Sequence, residues 1–271
     1  RLVSTIYRIG ASESSFVDPI TRELCSLKSA CINIKFEEAG LEKTIDDLSS
    51  ELDTTPSGIR IVLVAPAGCG KTVLSKQLLS KLCDSESSNT GPPLALRVPV
   101  DEIAQRLHEI QGTLESGPNF NELLSALWAG APRIAASVID SVLLQWIETH
   151  YGERAKSVFQ NFESLGFSSL SLLLDGLDEA RDPMEVLNWL RAWSSCDRRN
   201  VVVTTRPSVF DSKVVDSQNV SKWFKENSYR RMDLKPFHEH AWRALVHKRL
   251  PSPAAEQMLK AAASAAGDVD G

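Results

Sequence analysis

Ile59 to Val64 reads Ile-Arg-Ile-Val-Leu-Val and runs directly into Ala65-Pro66-Ala67-Gly68-Cys69-Gly70-Lys71-Thr72, after which Leu74, Leu78 and Leu82 recur at four-residue spacing. A continuous apolar run followed by a glycine-rich turn and a helical period predicts a buried parallel strand, a loop and a helix. The turn matches G-x-x-x-x-G-K-[ST] at every fixed position but the first, where Ala65 replaces glycine. In such a loop the backbone amides curl round a phosphate, glycines permit the close approach, and the helix that follows points its positive end at the anion. Residues Ala65 to Val73 are therefore the expected phosphate cradle, with Lys71 on the β and γ oxygens and Thr72 on magnesium (Mg2+). A chance glycine-rich turn with a surface lysine is the competing reading, and the strand and helix on either side weigh against it. Cys69 in this loop is a small filler or a thiol whose oxidation would block the cradle.

Two more apolar runs end in charge. Leu172-Leu173-Leu174 stops at Asp175, and Gly176, Leu177, Asp178 and Glu179 follow. A carboxylate at the end of a buried strand lies where open α/β sheets bind ligands. Asp175 is expected to orient the metal, and Asp178 or Glu179 to polarise an attacking water. The other register pairs Asp178 with Glu179 at the strand end, but Gly176 and a lone Leu177 make a poor strand. A solvated acidic turn is the bland alternative. Val201 to Thr205 likewise leads into Arg206-Pro207, which places Arg206 to sense a terminal phosphate.

The remaining pattern alternates. Leu94 to Val100 predicts a strand with Pro99 at a sheet edge or a strand end, Asp101 a helix cap, and Val186, Trp189, Leu190 and Trp193 one apolar helical face. Arg231 to Leu234 predicts a last short strand, and Pro236 the start of a helix carrying Ala241, Trp242, Leu245 and Val246. Before the phosphate loop, Phe36, Leu41, Ile45 and Leu48 give a weak helical period. Strands alternating with helices imply an α/β fold with a mainly parallel sheet.

Together the phosphate loop, the run Leu172 to Ala180 and Val201 to Pro207, in that order with a helical stretch between the first two, resemble the NACHT ATPase domain of the signal-transduction (STAND) ATPases, relatives of the AAA+ proteins. Asp175, Gly176, Asp178 and Glu179 match its acidic motif one for one, and Thr205-Arg206-Pro207 matches its first sensor. Leu94 to Asp101 is similar to its strand after the first helix, and Leu234 to Phe237 to the approach to its helical subdomain. The resemblance implies a three-layer P-loop NTPase core over 53–235, an entry segment or linker over 1–52, and the start of a helical lid over 236–271. It also implies an ATP/ADP switch, magnesium-dependent and slow in hydrolysis, that controls self-association and signals through effector and sensor domains outside this chain. No winged-helix segment is evident, and Ala65 bears on the rate of hydrolysis. A remodelling ATPase of the AAA+ type is the alternative; no Asn-Lys-x-Asp segment supports a GTP-specific reading.

The formal charge of -5 argues against a polyanionic partner such as nucleic acid. The five cysteines lack paired spacing and fit a reducing, cytoplasmic setting. No apolar run reaches the roughly 20 residues needed to span a bilayer. His238 and His240, two apart, do not make a metal pair on a helix. The opening at Arg1 and the small-residue tail are those expected of a middle section of a longer protein.

Overall fold

A computed structural model describes residues 15–17, 24–26, 34–55, 58–84, 93–113, 132–196, 198–210, 215–235, 243, 246–247 and 252–267. Strands β1 (Ser15–Val17) and β2 (Leu24–Ser26) pair antiparallel as a separate ribbon. A hairpin follows, β3 (Lys35–Glu38) and β4 (Leu41–Thr44), turned by Ala39 and Gly40 at φ 49° and 84°. Two successive positive φ angles match the right-handed twist of the paired strands. Thr44 then caps α1 (Ile45–Thr54) in a reciprocal box with Asp47.

From there strands and helices alternate: β5 (Arg60–Val64), α2 (Lys71–Asp84), β6 (Leu94–Pro99), α3 (Val100–Thr113), α4 (Pro132–Tyr151), α5 (Glu153–Gln160) and β7 (Leu170–Asp175). A 3-10 turn (Leu177–Glu179), α6 (Pro183–Trp193), β8 (Arg199–Thr205), a second 3-10 turn (Pro207–Phe210), α7 (Val215–Glu226), β9 (Arg230–Leu234) and α8 (Ser252–Gly267) complete the described elements. Seven strands form one sheet in the order β4-β3-β9-β5-β8-β7-β6; all neighbours from β9 to β6 are parallel, and the hairpin joins β9 antiparallel.

The unbroken apolar runs exist because both faces of this sheet are covered. On β5, Val62 and Val64 face a core built with α3 to α7, whereas Ile61 and Leu63 face a second core that holds Leu48 and Leu52 of α1 and Leu74, Leu78 and Leu82 of α2. Leu172 and Leu174 against Leu173, and Val201 and Val203 against Val202, divide the same way. The result is three layers, helices on each side of a sheet, as expected. Trp189 and Trp193 are fully buried, and the Trp189 indole N–H donates to the Ile139 carbonyl at 3.0 Å, tying α6 to α4.

Two local expectations differ. Phe36 and Leu41 lie on the hairpin strands rather than on a helix with Ile45 and Leu48, and Phe36 is fully buried beneath the sheet edge. Asp101 sits inside the first turn of α3, which already begins at Val100, so it favours the helix dipole without capping. The expected helix from Pro236, with Ala241, Trp242 and Leu245, lies outside the described residues, as do His238 and His240; beyond β9, Val246 packs with Ala255 and Leu259 of α8. Pro99 does close an edge strand. No helix among the described residues is long and apolar enough to cross a membrane.

Candidate functional site

The chain leaves β5 through α2 toward the far edge strand β6, whereas it leaves β8 through α7, on the opposite face, toward β9. Adjacent parallel strands whose connections diverge in this way open a crevice at their carboxyl ends. The loops after β5, β7 and β8 all enter it.

The loop after β5 is shaped by Gly68 and Gly70 at φ 76° and 79°. At Gly68 an added Cβ would meet nothing within 4 Å, so glycine is required there for the backbone angle rather than for space. The Ala65 substitution is benign by the same test. Ala65 is not among the positive-φ residues, is buried at 1% exposure, and its N–H donates to the Thr205 carbonyl at 3.0 Å. Cys69 packs half-buried against the α1–α2 core, which matches the filler reading. α2 starts at Lys71, with the Leu74 N–H reaching back to the Gly70 carbonyl at 2.8 Å, so the free amides of its first turn face the loop.

β7 ends on Asp175. Its carboxylate is 6% exposed and accepts from the Thr204 hydroxyl at 2.7 Å and from an Arg97 guanidinium nitrogen at 2.7 Å. Burial pushes the Asp175 carboxyl up, but the Arg97 charge and hydrogen bonds from Thr204, Arg97 and Thr72 prevail and hold it below the usual carboxylate range. Thr72 and Asp175, the two oxygen donors expected at magnesium, are thus in direct contact. A small hard cation with oxygen ligands suits that pair.

Arg97 went unremarked in the sequence, where it is one charge inside Leu94-Ala-Leu-Arg-Val-Pro. It is 9% exposed, and its Nε donates to the Ser75 hydroxyl at 3.0 Å, while that hydroxyl donates to the Thr72 carbonyl at 3.0 Å. The available signal was the charge itself: an ion in a strand bound for burial on both faces requires a buried partner.

Asp178, on the 3-10 turn after β7, is 6% exposed and sits between Lys71 Nζ at 3.4 Å and Arg206 Nε at 2.7 Å. The glycine-rich loop, the acidic turn and the end of β8 therefore meet at one carboxylate. Glu179 does not join them. Its carboxylate folds over Gly176, where an added Cβ would come within 3.0 Å of it, and its side chain lines a neighbouring cleft of about 730 Å³ with Asp101 and His108 of α3. Gly176 at φ 86° also donates its N–H to Thr204 at 2.9 Å. Gly176→Ala is expected to cost about 1 to 2 kcal/mol for the left-handed backbone and to displace Glu179; urea unfolding of the two proteins measures it.

No curated protein matches the chain. The model of the family described as Nephrocystin 3, N-terminal, a region related to the P-loop NTPases, matches residues 46–206, from within α1 to the arginine after β8. That span is more than half of the chain and contains every strand end and side chain of the crevice, and the chain belongs to this family.

Proposed function

We propose that this chain is a NACHT-type nucleotide switch that binds ATP and ADP with magnesium and hydrolyses ATP slowly. The observation that carries the reading is the meeting of Lys71, Asp178 and Arg206 beside the Thr72–Asp175 contact, at the mouth of a glycine-rich loop. Two cations from different strand ends suit a phosphate chain, and two adjacent oxygen donors suit the metal that accompanies it. Magnesium, when bound, neutralises phosphate oxygens and polarises the terminal phosphoryl group.

In this reading the amides of Ala67 to Thr72 hold the phosphates, Lys71 counters their charge, and Thr72 and Asp175 hold the metal, Asp175 being kept ionised by Arg97. Arg206 reads the terminal phosphate from the β8 side, and Glu179 takes the proton of an attacking water after turning from Gly176. Residues 53–235 make the nucleotide-binding core, with 236–271 beginning a lid. Exchange of ADP for ATP would then expose surfaces for self-association, passed on to effector and sensor domains of a larger cytoplasmic protein.

Glu179→Gln is expected to leave nucleotide affinity within about twofold while slowing phosphate release at least about a hundredfold. The test is to release bound nucleotide from the purified chain and then time phosphate production from ATP and from GTP. Retained ADP and turnover below about one per minute fit a switch; several turnovers per second, the range of ordinary enzymes, fit the AAA+-like remodelling alternative.

A further inference from the structure

Asp178 holds its two cations unequally. Its Oδ2 receives Arg206 Nε at 2.7 Å, a charge-assisted hydrogen bond, whereas its buried Oδ1 accepts no hydrogen bond among the described residues and faces Lys71 Nζ at 3.4 Å by charge alone. Lys71 is itself 10% exposed, so water does little to screen that attraction. Both cations expected to meet phosphate thus share one carboxylate, an anion of the same kind as a phosphate oxygen. An entering phosphate chain has to displace a carboxylate at each.

From this, and resting on the nucleotide reading above, we infer that Asp178 is a specificity-determining residue that sets the preference between nucleoside diphosphate and triphosphate by competing with the phosphates for Lys71 and Arg206. A diphosphate that reaches Lys71 displaces one of the two contacts and leaves the Arg206–Asp178 bond in place. A triphosphate engages both cations and must break the Arg206–Asp178 bond as well. The diphosphate state is therefore favoured by the protein's own anion, and this role differs from that of a base: a water-polarising carboxylate acts on turnover and leaves the ratio of affinities alone.

The experiment compares Asp178→Asn with wild type for binding of ADP and of a non-hydrolysable ATP analogue, each with magnesium. Asn keeps the shape and removes the charge. The expected result is an analogue affinity about tenfold tighter with ADP changed less than about threefold, so that the preference moves toward triphosphate. Asp178→Ser carries the same expectation should the Asn variant not fold. An unchanged ratio, or a weakened analogue, overturns the inference while wild-type binding keeps the nucleotide reading standing; wild-type protein that binds neither ligand overturns both.

Discussion

Lys71→Ala is expected to lower ATP affinity by about 3 kcal/mol or more, at least roughly a hundredfold, because it removes the largely buried ammonium at the mouth of the proposed phosphate loop. The fold should survive. Lys71 touches Asp178 at 3.4 Å without hydrogen-bond geometry, and Asp178 keeps its 2.7 Å partner Arg206 when the ammonium is gone. Titration with a fluorescent ATP analogue, alongside a melting curve, separates lost binding from lost structure. Equal affinity in the two proteins would remove Lys71, and with it the phosphate loop, from the account.

Arg97→Met has its large effect on stability. Arg97 and Asp175 are both buried, and truncating one member of such a pair leaves the other charge without its counter-ion, at a cost of about 3 kcal/mol near neutral pH. The pH dependence identifies the cause. In the wild type Asp175 titrates below its ordinary range, so its contribution is present above the unfolded-state carboxyl pKa, about 4, and is lost as pH falls through the lower folded value. In the variant burial still pushes the carboxyl up and Arg97 no longer opposes it, so the ionised form is penalised at neutral pH and relieved as Asp175 takes a proton. The gap between wild type and variant should be widest near pH 7.5 and should narrow toward pH 4.5, measured by urea unfolding. A gap of the same size at both pH values would mean that Arg97 contributes packing alone.

The parallel strands and the glycine-rich turn after β5 were legible because their signals are local. Ile61 to Val64, Leu172 to Leu174 and Val201 to Val203 are apolar throughout, as strands covered on both faces must be, and the glycine angles after β5 follow from the motif itself. The β3–β4 hairpin was not, since four apolar residues at spacings of three to five happen to fit a helix, and what decides the matter is pairing of Phe36 with Leu234, distant in sequence. Asp178 and Glu179 show the same limit within the site. Adjacent in sequence and alike in chemistry, they are separated by a 3-10 turn that aims one at Lys71 and Arg206 and folds the other over Gly176. Arg97 was legible as an anomaly but not as a partner, because only the register of β6 beside β7 brings it to Asp175.

Calorimetric titration of the purified, nucleotide-stripped chain with ATP, with and without magnesium, tests the central claim most directly. The account predicts one site per chain, tighter with magnesium than without. No binding in either buffer, or binding indifferent to magnesium, would contradict it, the first by removing the phosphate loop as a nucleotide site and the second by removing Thr72 and Asp175 as its metal donors.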